Sequence, residues 1–292
     1  MTLEQLRAFV AVGDSLSMRR AAEIVHLSQP AVSAAIAALE RRYGTHLFDR
    51  IGRRLELTEA GRSFLPEAKA VLLRVEAARR TLDDLAGLAR GELRLAASQT
   101  VATYWLPARL ARFATAYPGI SLPLAVGNSA QAIAAVTAGE ADLGFVEGAV
   151  DGSGLDVIPV GGDRLGLYAA IDHPLAGRRV EREDLLRISW AVRERGSGTR
   201  DHFAAGMAVH GLSLEDLDIR LELPSNGAVL EAAKAGGLVA SVSTLAAASR
   251  IQAGTLAEID CDFSPRIFHM IFHHERYPSA AMTAFRAEIV GN

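Results

Sequence analysis

Ala21-Ala22-Glu23-Ile24-Val25-His26-Leu27-Ser28-Gln29-Pro30-Ala31-Val32-Ser33 holds one helix end and one helix start within thirteen residues. A short apolar-periodic run closes near His26. Ser28 is a favoured N-cap residue, and Pro30 suits the first turn of a helix because its missing N–H would go unpaired there anyway. A second amphipathic run follows, with Val32, Ile36 and Leu39 on one face. Two helices joined by about three residues, the second opening on small polar side chains, read as a helix-turn-helix.

Working outward, Leu3, Leu6, Phe9 and Val10 mark a first helix that packs on this pair. Ser17 is positioned to cap the second helix, which opens with Arg19 and Arg20. Residues 28–42 form the candidate recognition helix, and Gly44 is placed to end it in a left-handed conformation. His46 to Thr58 reads as two short strands around the basic turn Arg50-Ile51-Gly52-Arg53-Arg54, a wing able to reach phosphates or a minor groove.

The Ser28–Ser33 core, the Leu39-Glu40 pair, the Leu47-Phe48-Asp49-Arg50 run and the Leu57-Thr58-Glu59-Ala60-Gly61 ending resemble the LysR-type transcriptional regulators. Within this setting Gln29 is suited to a bidentate contact with adenine, and Ser33 to a base edge or phosphate. Pro30 and Val32 are candidates for thymine methyls. Arg19, Arg50, Arg53 and Arg54 would neutralise phosphates beside the cap Ser28. The plainer alternative makes Gln29 and Ser33 solvated first-turn residues. Many members of the family carry Arg or Lys, then Gln, after the serine matching Ser33; here those places hold Ala34 and Ala35. Some of the family's base or phosphate contacts are therefore lost.

From Glu59 to about Leu88 the pattern predicts one long helix. Leu65, Ala68, Leu72, Val75, Leu82 and Ala86 fall on heptad a and d positions, with Arg79 interrupting. A helix packed on its own domain would show such a stripe too, but the length and narrow seam favour a dimer arm. Gly87 and Gly91 bracket an expected hinge.

After Gly91 strands and helices alternate. The expected order is a strand at 92–97, a helix at 103–117, a strand at 121–126, a helix at 129–138 and a strand at 142–146. It recurs as a strand at 188–192, a helix at 200–210, a strand at 219–223, a helix at 226–235 and a strand at 238–242. Asn128 to Gly139 and Ser225 to Gly236 are equal spans, each closing a helix with Ala-Gly before a strand. Such units imply parallel pairing with right-handed crossovers and two α/β lobes. Residues 155–170 and 266–273 would run between the lobes, and Ser279 would cap the last helix. This resembles the effector domain of the same family, which has the two-lobed architecture of periplasmic binding proteins. The expected organisation is a winged helix-turn-helix at 1–58, a linker helix at 59–88, a first lobe from 89–161 and 267–292, and a second from 162–266.

Ser98-Gln99-Thr100 follows the first strand, and Ser197-Gly198-Thr199-Arg200 does the same in the second unit. Each sets hydroxyls and unpaired N–H groups at a helix start, where anions are favoured. Loops at the carboxyl ends of parallel strands are where such sheets bind ligands. Asn128 and Ser129, with Asn226 from the other lobe, add donors. Ordinary N-capping would explain each residue singly; two matched loops favour a ligand. The resemblance implies that Ser98, Thr100 and Thr199 hold the inducer, a small anion: a carboxylate, a phosphorylated metabolite or an inorganic oxyanion. Phe145-Val146-Glu147-Gly148 and the Gly-Ser-Gly-Thr-Arg run are most similar to the subgroup governing sulfur-assimilation and Calvin-cycle operons. Glu147 would repel an anion unless paired, with Arg200 the expected partner.

Size and charge agree with this division. The 292 residues carry a net charge of −3, yet residues 1–90 hold 14 basic against 11 acidic side chains, and the remainder 17 against 23. A basic front and an acidic rear suit a DNA-binding head on a domain with another task. No apolar run approaches the roughly 18–20 residues that cross a bilayer, and no signal peptide is apparent. The single Cys261 cannot form an intrachain disulfide, which fits the cytoplasm. The His269, His273 and His274 group alternates like a strand and is a poor chelator. No nucleophile elbow, dinucleotide fingerprint or phosphate-loop lysine is present; the only lysines are Lys69 and Lys234. The resemblance implies no enzyme and no cofactor. Its expected partners are a dyad-symmetric DNA operator and RNA polymerase, bound by a homodimer that assembles to a homotetramer, without a membrane. A solute-binding protein would leave residues 1–88 unexplained; an architectural DNA binder would leave the lobes idle.

Overall fold

The computed structural model describes residues 1–51, 54–84, 90–150 and 154–291. The chain divides into two compact units, Met1–Leu82 and Asp83–Asn292.

In the first unit, helix α1 (Leu3–Ser15) starts at a capping box made by Thr2 and Gln5. Helix α2 (Met18–Ile24) is capped by Ser17, whose Oγ accepts from Arg20 N. The chain then reverses through His26, at φ +55°, into α3 (Gln29–Tyr43). Ser28 Oγ accepts from Ala31 N, and Gly44 ends the helix at φ +63°. Helices α2 and α3 cross at 103°, within the helix-turn-helix range. Strands β1 (Phe48–Ile51) and β2 (Arg54–Leu57) pair antiparallel as the wing, and α4 (Glu59–Asp84) follows. Leu6, Phe9, Val12, Val32, Ile36 and Leu39 bury fully and close the core of this head.

The first half of the linker helix packs on its own head. Ala68 is fully buried in the head's core, with Leu65 and Leu72 packed against it. Half of the heptad seam is therefore consumed within the subunit. The side chains of Leu82, Ala86 and Arg79, and the glycine at 87, lie outside the described residues. Val71 and Ala78 are exposed.

The second unit contains two five-stranded sheets. The first has the order β6 (Leu124–Gly127), β4 (Leu95–Ser98), β7 (Leu143–Glu147), β14 (Arg266–His273) and β8 (Leu155–Asp163). The second runs β11 (Asp218–Leu223), β10 (Ser189–Arg193), β12 (Val239–Ser243), β9 (Leu165–Ala170) and β13 (Leu256–Ile259). The β4–β6, β4–β7, β10–β11 and β10–β12 pairs are parallel, as the strand–helix–strand pattern requires. The returning strands β14, β8, β9 and β13 pair antiparallel. A two-residue parallel pair, β3 (Gly91–Glu92) with β5 (Ile120–Ser121), sits beside the first sheet's strands in sequence.

Central strands β4, β7, β9 and β12 are buried along their whole length, because helices cover both faces. These helices are α5 (Pro107–Ala116), α6 (Ser129–Ala138), α7 (Arg182–Arg187), α8 (Gly198–Val209), α9 (Asn226–Lys234), α10 (Thr244–Gln252) and α11 (Ala280–Val290). Ser279 Oγ accepts from Met282 N and caps α11.

Two expected elements are interrupted by proline. The helix expected over 103–117 is a π-helical turn, Val101–Trp105, followed by α5 with Pro107 at its start. Pro107 has no N–H to continue the α ladder, and Leu106 N instead reaches Val101 O. The strand expected over 121–126 splits into β5 and β6 around Pro123, which donates no ladder bond. Among the described residues no single helix is long and apolar enough to cross a membrane.

Candidate functional site

The exposed face of α3 carries Gln29, Pro30, Ala31, Ser33 and Ala34. Gln29 lines one depression with Ser17, Met18, Arg19, Arg50 and Leu55, which gathers residues from α2, α3 and the wing. Arg54 is exposed on β2, Arg19 pairs loosely with Glu23 at 3.5 Å, and Arg53 lies outside the described residues. Ser28 spends its hydroxyl on capping α3. Val32 is corrected: its side chain is fully buried in the head, so it cannot meet a thymine methyl. Of the two alanines that replace the family's polar pair, only Ala34 is exposed; Ala35 packs against the core.

The second constellation lies between the lobes. Ser98 and Glu147 end β4 and β7, and Thr199 stands in the first turn of α8; all three are buried. Ser98 Oγ donates to Glu147 Oε2. Thr199 Oγ1 donates to Glu147 Oε1 at 3.3 Å and accepts from Arg266 Nη1 at 2.9 Å. Arg266, the first residue of β14, grips Asp163 at the end of β8 through Nε at 2.7 Å and Nη2 at 2.6 Å. Its Nη1 stands 3.7 Å from Glu147. The guanidinium thus joins both lobes at the place where the chain crosses between them.

A second cluster sits beside the first. Asn226 Nδ2 donates to Thr100 Oγ1 at 3.0 Å, and Asn226 N donates to Gln99 Oε1 at 2.6 Å. Arg193 Nη1 donates to Asn226 Oδ1 at 3.0 Å and to Gln99 Oε1 at 3.3 Å. Its other nitrogens hold Glu194 at 2.7 and 2.9 Å. Burial alone would raise the Glu194 pKa; the hydrogen bonds and charge of Arg193, with Asn128, outweigh it and hold it below the ordinary value.

Backbone contacts tighten the same seam. Ala130 N donates to Gly196 O at 3.1 Å, and Ser129 Oγ donates to Glu147 O at 3.1 Å. A Cβ on Gly198 would lie 2.1 Å from Glu147 O, so only glycine permits this approach. Thr100 and Ser197 make no side-chain cap to the helices they precede, which counts against simple capping. Asn128 does both, capping α6 and donating to Glu194 at 3.3 Å.

The expected pairing of Glu147 with Arg200 is corrected. Arg200 Nη1 instead donates to Glu222 at 2.8 Å and to the Arg193 carbonyl at 2.8 Å. Glu147 meets Arg266, a residue that nothing in its neighbourhood of sequence marks out. Arg193 and Asp163 were likewise not anticipated. Outside the cleft, burial pushes the Cys261 thiol up to about 11, so it stays protonated and unreactive. Among the described residues no group of His, Cys, Asp and Glu is arranged to hold a metal.

Residues 3–62 match the bacterial regulatory helix-turn-helix of the lysR family, and residues 86–292 match the LysR substrate binding domain. The chain belongs to the LysR family. Its relatives are named as transcriptional regulators, not enzymes. A probable RuBisCO transcriptional regulator of Trichormus variabilis is 34% identical over 99% of this chain and 88% of its own. The HTH-type transcriptional regulator YeiE of Escherichia coli K12 is 35% identical over 98% of this chain and 96% of its own. Full-length CbnR, crystallised with its target DNA, has the same fold, with a TM-score of 0.73 at 24% identity over 100% and 99% of the two chains. The LysR chain described here is thus a DNA-binding transcriptional regulator, not an enzyme, with a domain for a small-molecule effector.

Proposed function

We propose that this LysR regulator binds a dyad-symmetric operator as a cytoplasmic homodimer assembling to a homotetramer, and that a small anion in the interlobe cleft changes how it engages DNA and RNA polymerase. Its working parts are a winged head over 1–58, a linker helix over 59–88 and lobes over 89–161 with 267–292 and 162–266. The observation that carries the effector site is the convergence of Ser98, Thr100 and Thr199 hydroxyls, from strand ends and helix starts of opposite lobes, on one buried seam. Gln99, Asn128, Ser129, Ser197, Gly198 and Asn226 border it. DNA reading falls to Gln29, Pro30 and Ser33, with Arg19, Arg50, Arg53 and Arg54 on phosphates and Ser28 holding the helix start.

For binding to regulate, the ligand must favour one arrangement of the lobes over the other. The hydrogen bonds from Asn226 and Arg193 to Gln99 and Thr100 exist only while the lobes are together, so the cleft's content and its closure are linked. The relationship to regulators named for RuBisCO genes supports a metabolic anion as the signal. Replacing Thr199 by Phe fills the seam and leaves every residue of the head unchanged. Operator affinity without ligand should stay within about twofold, while the transcriptional response to effector disappears. An unaltered induction curve would overturn the cleft as the effector site.

A further inference from the structure

The place suited to an anion already contains one. Glu147 accepts from Ser98 on its own lobe and Thr199 on the other, and faces the inner nitrogen of Arg266. Its side chain is 1% exposed, and that of Arg266 is wholly buried. The charges around it are already committed: Arg266 to Asp163, Arg193 to Glu194, Arg200 to Glu222. Glu147, Asp163 and Glu194 against Arg193 and Arg266 leave the seam with more negative than positive charge. A further anion beside a retained Glu147 would meet a like charge in a dry, low-dielectric place.

We infer that Glu147 is the resident occupant of the effector seat, and that an anionic effector binds by exchange with its carboxylate, taking over Ser98, Thr199 and Arg266. The inference rests on the cleft reading above and adds how the site is gated. The incoming group must resemble what it replaces: a compact carboxylate, or an oxyanion whose oxygens reach two hydroxyls and one guanidinium. Glu147 has a way out, because it ends β7 and is followed by Gly148 at φ +91°. Its departure has consequences beyond the seat. The same residue's carbonyl receives Ser129 and lies against Gly198 in the first turn of α8. Exchange therefore disturbs the contact between the end of β7 and the start of α8, which belong to different lobes. Arg266 feels the change directly and transmits it to Asp163 at the crossover.

The test is calorimetric titration of full-length wild type and Glu147→Gln with sulfate, inorganic phosphate and acetate. Removing a competitor raises affinity, whereas removing a brace lowers it. Glu147→Gln should bind at least one of the three probes tenfold or more tightly than wild type, and Glu147→Gln/Arg266→Gln should lose that gain. Glu147→Asp, whose carboxylate is drawn back by one methylene, should also bind more tightly and serves if the glutamine variant fails to fold. Variants that bind every probe no more tightly than wild type would overturn the exchange, as would a gain that survives without Arg266. Thr199→Phe separates this failure from that of the cleft itself. If it abolishes wild-type binding, the cleft stands and only exchange falls; if it binds as wild type does, the cleft reading falls too.

Discussion

Arg266 holds Asp163 and Thr199, and Arg193 holds Glu194, Asn226 and Gln99, so two buried guanidinium groups tie the cleft's walls together. Each is a lone arginine at one end of an apolar strand. Their partners are distant: Asp163 is 103 positions from Arg266, and Gln99 is 94 from Arg193. By contrast the placement of Ser98, Thr100 and Thr199 between the lobes was legible, because matched βα loops in a duplicated architecture place hydroxyls in equivalent positions. Val32 illustrates the opposite error, since an apolar residue in a recognition helix serves the core before it serves DNA. Glu194 permits a pH test. Its folded pKa is depressed, so its contribution to stability is complete above the ordinary value of about 4.5 and is lost as pH falls through the lower folded value. Glu194→Gln should therefore flatten the fall in melting temperature of the full chain below pH 4.5, with little change in that slope near pH 7. An acid limb identical to wild type would remove Glu194 from the clasp.

At the scale of elements, most boundaries follow from local chemistry. Ser17, Ser28, Asn128, Ser225 and Ser279 each cap the helix they precede, and Gly44 and Gly139 end theirs in left-handed conformations. The breaks at Pro107 and Pro123 arise because a proline withdraws one N–H from a ladder that apolar periodicity alone would continue. Helix α4 was legible as one long helix but not in its allegiance. Heptad spacing does not reveal whether a seam meets a partner or the head, and Leu65, Ala68 and Leu72 meet the head. The dimer arm proposed for α4 would then use the rest of the helix, where Ala70, Val71, Val75 and Ala78 lie beside Glu67 and Arg74. Val71→Glu should weaken the dimer at least tenfold in sedimentation equilibrium while leaving the head's unfolding midpoint within about 2 °C of wild type. Unchanged association would move the dimer contact off this strip.

At the scale of the molecule, a basic helix-turn-helix head and an acidic, bilobed substrate-binding domain occupy one chain. The fold class and the division of labour were readable because both halves repeat strong local patterns. The seating of a carboxylate in the sensor was not, since it depends on three strand ends meeting in space. On the cleft reading, an anion that occupies the seam alters the complex with DNA. The most direct measurement of this is a footprint of the full chain on its own upstream intergenic DNA at fixed salt, repeated across a panel of small carboxylates and oxyanions. A dyad-symmetric protected segment whose length or affinity shifts with at least one anion is the predicted result. Protection that is competed equally by unrelated DNA, or that no anion alters, would contradict it.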